Sequence, residues 1–151
     1  MNVFRVVKKQ HANDLSGEGA RLFGGRWNYT GTPCIYASTS RSLAILELTV
    51  NTSKENLPED LIILTISIPD QLIHSINKKN LPQNWMKTPA PSNAKSFGTS
   101  LLNTMKYLAF LLPSAVVPEE NNIIINPLHT DIKRVSIIDK QILRLYSRIK
   151  E

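Results

Sequence analysis

Three residues in the first third of the chain carry chemistry by their type and setting. Arg26 stands in the turn Gly24-Gly25-Arg26-Trp27-Asn28, Tyr36 in the strand-like Cys34-Ile35-Tyr36-Ala37-Ser38, and Glu47 at the end of Ser42-Leu43-Ala44-Ile45-Leu46-Glu47. The glutamate is the anomaly, because a carboxylate buried without a partner is costly enough that it neutralises or finds one. Three settings resolve it: the side chain turns to solvent, forms a structural ion pair, or sits in an apolar pocket where charge interactions are strengthened. Leu43 and Val50 lie one turn either side on the same helical face, which argues for the pocket. Arg26 is either a solvated loop charge or a ligand clamp. The glycines beside it let main chain approach a ligand, and its planar fork suits phosphate or carboxylate. Trp27 reads as a hydrophobic plug or a stacking platform, and Tyr36 as a core ring with a satisfied hydroxyl or a face offered to an aromatic ligand.

Ser114 follows Pro113 and precedes Ala-Val-Val-Pro. It reads as a turn or cap serine, since no Gly-x-Ser-x-Gly elbow surrounds it to make a hydrolase nucleophile. His11, His74 and His129 are isolated and lack metal-ligand spacing, so no metal is expected.

The elements that must position these side chains follow from pattern and punctuation. A strand is expected over Val3–Val7, a glycine-bearing loop over 10–28, and a second strand over Cys34–Ser38. A helix follows, capped by Thr39 or Ser40 and apolar nearly all round, hence expected to be buried. Leu61–Ile68 reads as a strong strand stopped by Pro69, with Asp70 capping a short helix through Ile76. Residues 77–93, with Pro82, Pro89 and Pro91 around Trp85, read as an irregular loop. Ser96–Leu112 is the longest helical candidate, with Leu101, Met105, Leu108 and Leu112 as its inward stripe. Strands are expected at Ala115–Val117, Asn122–Ile125 and Arg134–Ile138, and residues 141–151 fit helix or strand equally. Helices among short strands, without a Gly-rich phosphate fingerprint, give an α/β (α+β mixed) fold in a single domain over 1–151, short mixed sheets flanked by helices.

Composition agrees with an ordinary globular chain: 151 residues, 42% hydrophobic and 20% charged. The single cysteine, Cys34, suits a reducing compartment. No apolar leader or spanning run is present, so a cytoplasmic protein without membrane contact is expected. The net charge of +6 suits an anionic ligand or an acidic partner. The cations are scattered rather than interleaved with stacking aromatics, which weakens a nucleic-acid module.

In order, these residues resemble the RES domain, a family named for its arginine, glutamate and serine. The matching text is Gly24-Gly25-Arg26-Trp27-Asn28, then Pro33 with Ile35-Tyr36-Ala37-Ser38, then Leu43-Ala44-Ile45-Leu46-Glu47. Further on it is Leu112-Pro113-Ser114-Ala115-Val116-Val117-Pro118-Glu119 and Asn121 with Ile125-Asn126-Pro127-Leu128-His129. The match runs from Phe4 to Ile138, and Gln141–Glu151 departs from the family's ending. The resemblance implies a fold similar to ADP-ribosyltransferases and the toxin of a bacterial type II toxin–antitoxin pair that depletes NAD and arrests growth. NAD would be a substrate, not a cofactor. The implied partner is a Xre-type antitoxin with a helix-turn-helix, through which alone DNA would be reached. The implied NAD site comprises Arg26, Tyr36, Glu47 and Ser114, with Trp27 and Asn126 beside them. Glu47 would steady the ribosyl cation, Arg26 would hold the anionic or ribose portion, Tyr36 would flank the nicotinamide, and Ser114 would bond ribose or nicotinamide. Two alternatives stand: an ADP-ribosyltransferase acting on a specific protein, and a basic nucleic-acid-binding module without enzymatic activity.

Overall fold

Among the described residues seven strands join in one sheet, and the way they join creates the cleft. The computed structural model describes residues 1–150. The strands are β1 (Asn2–Lys8), β2 (Ile35–Ser38), β3 (Leu61–Ser67), β4 (Ile73–Ser75), β5 (Ala109–Pro113), β6 (Asn121–Ile125) and β7 (Ser136–Leu143), in the order β4-β5-β6-β2-β1-β3-β7. All neighbours run antiparallel except β4 and β5. β1 pairs with β3 along its whole length, from Asn2↔Ser67 to Lys8↔Leu61, but meets β2 at the single position Phe4↔Ser38. The sheet is thus two half-sheets that diverge from one shared pair. This is the mixed α/β class expected from the sequence.

Three α-helices among the described residues complete the frame: α1 (Glu18–Phe23), α2 (Arg41–Asn51) and α3 (Ser92–Asn103). α2 begins where expected, with the Ser40 hydroxyl accepting from the Leu43 N–H. It is less buried than its composition suggests. Leu43, Ala44 and Thr49 are buried, whereas Leu46 is 38% and Val50 51% exposed. Val50 faces the open cleft instead of a packed neighbour.

Several boundaries differ from the sequence expectations. The 10–28 loop contains α1, set between Gly17 at φ 71° and Gly24 at φ 69°. The helix expected over Ser96–Leu112 starts earlier and stops at Asn103. Met105 turns left-handed at φ 53°, and Leu108–Leu112 leads into and forms β5. This half of the sheet is covered on both faces: Ala109, Ile123 and Ile125 enter one core cluster, while Phe110, Leu112 and Ile124 enter the other. Strands buried on both sides read as continuous apolar runs, which carry no strand period. Asp70 opens only a 3-10 turn, Asp70–Leu72, before β4. Ala115–Val117 is a turn, not a strand, and the C-terminal strand runs Ser136–Leu143 before a 3-10 turn at Ser147–Lys150. No helix among the described residues is long and apolar enough to cross a membrane.

Candidate active site

The diverging half-sheets open a cleft of about 820 Å³, within the range of small-molecule sites. Arg5 of β1, Tyr36 and Ser38 of β2, Glu47 of α2, the Arg26 turn and Asn122 of β6 line it.

Glu47 is half-buried, and one of its two carboxylate oxygens is firmly bonded. Its Oε1 accepts from the Ser114 hydroxyl at 2.7 Å and from the Asn122 amide at 2.5 Å. Both donors are neutral, so the negative charge is held in place without being cancelled. Arg26 does not pair with it. Its Nη1 donates instead to the carbonyls of Trp85 and Lys87, each at 2.7 Å, tying the glycine turn to the proline-rich loop. Burial lowers the Arg26 pKa, with the Glu47 charge opposing the change, and the guanidinium remains charged. A cation and an anion therefore face one cavity while bonded elsewhere, which removes the structural ion pair from the readings of these two residues.

Tyr36 is fixed by its hydroxyl, which accepts from the Trp27 N–H at 3.0 Å and donates to Asn28 Oδ1 at 2.7 Å. Asn28 in turn donates to the carbonyls of Ala20, Tyr29 and Thr32, locking the turn as one unit. Gly25 is required here. A Cβ at that position would lie 2.7 Å from the Tyr36 hydroxyl. Burial pushes the Tyr36 pKa up, so the residue offers a neutral ring, not a phenolate.

Ser114, Trp27 and Asn126 stand apart from the ligand space in different ways. Ser114 is 0% exposed. Its hydroxyl donates to Glu47 and accepts from the Val116 and Val117 N–H groups, both at 3.0 Å, which uses its whole hydrogen-bonding capacity. It orients the carboxylate and has no atom left for a ribose. Trp27 touches the cleft wall but is only 3% exposed, with its indole stacked on Trp85 at 5.9 Å and edge-on to Phe97. It is the plug. Asn126 is 1% exposed and lies outside the cleft lining. Its amide donates to the Leu102 carbonyl and Met105 sulfur, closing the turn after α3.

Two cleft residues escaped sequence reasoning. Asn122 sat inside an expected strand with nothing local to mark it. Arg5 looked like an ordinary strand arginine. In the structure its Nη1 donates to the Tyr36 carbonyl at 2.7 Å, and its Nε is sealed from solvent without a partner. Burial lowers its pKa as well. The only sequence hint was a long cation amid Val3, Val6 and Val7.

A fixed carboxylate, two guanidinium groups and a neutral aromatic ring surround one cavity, a set whose chemistry suits an anionic ligand and can stabilise positive charge. The chain belongs to the RES domain family, whose profile matches residues 2–146. It is 40% identical over 132 residues to "Prs ADP-ribosylating toxin" of Sphingobium sp. (strain YBL2), covering 85% of this chain and 82% of that protein. To "Toxin Res" of Photorhabdus laumondii subsp. laumondii it is 35% identical over 136 residues, covering 89% and 86%. Among solved structures, the crystal structure of the M. tuberculosis MbcT–MbcA toxin–antitoxin complex matches with a TM-score of 0.77 at 20% identity, over 94% of this chain and 83% of that one. That likeness is one of fold.

Proposed function

We propose that this protein is the toxin of a type II toxin–antitoxin pair and that it consumes NAD by breaking the nicotinamide–ribose bond. One observation carries the reading: the Glu47 carboxylate faces the cleft held by two neutral donors, with no compensating cation bonded to it among the described residues. When the C1′–N bond breaks, its electron pair leaves with nicotinamide and positive charge develops at the ribose, as in glycoside cleavage. A fixed anion stabilises that charge without reorganising at the moment of reaction. Arg26 and Arg5 supply positive charge for the diphosphate, and the Tyr36 ring flanks the nicotinamide. Ser114 acts through Glu47. Trp27 and Asn126 brace the turns that surround the site.

Water, phosphate or a protein side chain then meets the cationic carbon. Transfer to a protein is favoured as the second reading by two observations. The 40% identical relative is named an ADP-ribosylating toxin. The cleft also opens beside exposed Phe23, Val50 and Met86, an apolar rim suited to a protein surface. A Xre-type antitoxin is the partner that the family implies for this rim. The test is incubation of the purified protein with adenine-labelled NAD, with and without cell extract. Degradation leaves label on free ADP-ribose or its phosphate; transfer leaves it on a protein band. Unchanged NAD in both arms refutes the proposal.

A further inference from the structure

The Glu47 carboxylate is held asymmetrically. Oε1 takes both strong hydrogen bonds, from Ser114 and Asn122, while Oε2 meets the Asn51 amide only at 3.5 Å, the outer limit of such a bond. The direction of the Asn122 amide is itself determined. The Glu47 carboxylate only accepts, so the Asn122 NH₂ must face it, and Oδ1 is left to accept from the Ser38 hydroxyl at 2.7 Å. Turned the other way, the amide would set oxygen against carboxylate oxygen, and the Ser38 hydroxyl anchors the amide in the orientation that avoids this.

Ser38 and Asn122 are also direct partners across β2 and β6. The relay is therefore mounted on paired strands rather than on a loop, and strands hold a site more rigidly. It reaches Glu47 on α2, whose first turn is fixed by Ser40. Each of these three elements is set by bonds other than those to the carboxylate.

We infer that Asn122, oriented by Ser38, is a positioning residue that commits Oε1 of Glu47 and turns Oε2 toward the substrate. This rests on the reading of Glu47 as the carboxylate that faces the reacting ribose. A misplacement of about 1 Å in such a group is enough to cost about 100-fold in rate. The competing role is direct: Asn122 lines the cleft and could bond the ribose itself.

A double-mutant cycle separates the two roles, since groups that act as a unit are non-additive. Single-turnover NAD consumption is measured for the wild type, Asn122→Ala, Glu47→Gln and the double variant, with thermal unfolding of each. Asn122→Ala alone is expected to slow turnover about 100-fold while KM for NAD stays within about threefold. In the Glu47→Gln background the same change should alter the rate by less than about twofold. A further loss of about 100-fold there, or a KM effect without a kcat effect, would show Asn122 acting on substrate and overturn the inference. If Glu47→Gln turns over as fast as wild type, the reading of Glu47 falls first, and the positioning role falls with it. Should Asn122→Ala fail to fold, Ser38→Ala serves the same cycle. Freeing the amide to turn should cost about tenfold in kcat, again only when Glu47 is present. Wild-type kcat in a folded Ser38→Ala would refute the relay.

Discussion

Replacing Ser114 by alanine separates two roles that the sequence alone left merged. The hydroxyl makes three bonds: one to Glu47 Oε1 at 2.7 Å, and one each from the Val116 and Val117 N–H groups at 3.0 Å. A hydrogen bond to a charged group is worth about 1.5–3 kcal/mol, and a donor left unpaired costs about 1–3 kcal/mol. Val116 and Val117 are only half-buried, so water can reach their turn and the N–H penalty falls at the low end. Two such N–H groups at about 1 kcal/mol each and the lost charged bond sum to about 3.5–5 kcal/mol, which lowers Tm by roughly 7–20 °C for a chain of this size. Turnover should fall because Glu47 loses one of its two anchors, yet KM for NAD should barely move, because Ser114 has no bonding capacity left for a ligand. Calorimetric unfolding and steady-state NAD kinetics on the same preparation provide both readouts. An unchanged Tm together with a tenfold or larger rise in KM would refute the reasoning and return Ser114 to the ligand.

Three further outcomes follow from named contacts. At Gly98 a Cβ would lie 2.0 Å from the Trp27 carbonyl oxygen, so Gly98→Ala must push α3 off the turn. It should cost about 3 kcal/mol or more, visible as a fall in Tm. Arg5→Gln removes a cleft guanidinium with an unpartnered Nε and should raise KM for NAD about tenfold or more; an unchanged KM would place the diphosphate elsewhere. Alkaline stability should fall steeply. Burial raises the Cys34 pKa from 9.0 to about 12 and raises that of Tyr36 too. Above pH 9 for Cys34, and above pH 10 for Tyr36, the native state therefore keeps protons that the unfolded chain has released. Stability declines by up to about 1.4 kcal/mol per pH unit from Cys34 between pH 9 and about pH 12, with Tyr36 adding to the slope above pH 10, as denaturant titrations across that range would measure.

Where one side chain served one surface, the sequence was legible. β1, β2, β3 and α2 lie where β-branched runs, prolines and the Ser40 cap put them, and Arg26, Tyr36 and Glu47 do converge on one cleft. It was illegible where burial on two faces erased the period. Leu108–Leu112 resembled a continued helix because β5 is covered on both sides, and only the break at Met105 separates it from α3. Glu47 looked like a carboxylate without a partner because its donors lie 67 and 75 residues away. Long-range pairing of that kind leaves no mark in local spacing. Ser114 does meet Glu47, but the sequence does not show that its hydroxyl is used up there and in the turn at 115–117, which depends on the fold of that turn. Asn126 shares the family text yet braces α3, and Arg5 drew no notice because strand arginines are common.

On the proposed reading, Glu47 stabilises charge as the nicotinamide–ribose bond breaks. Nicotinamide release from NAD by purified wild-type protein and Glu47→Gln tests it most directly. Glutamine keeps the shape but not the charge, and loss of a preorganised electrostatic group typically costs about 10²–10³ in rate. The expected result is a folded variant, with Tm lowered by several degrees as its two charge-assisted bonds become neutral ones, and nicotinamide release slower by about that factor. Release at the wild-type rate would contradict it.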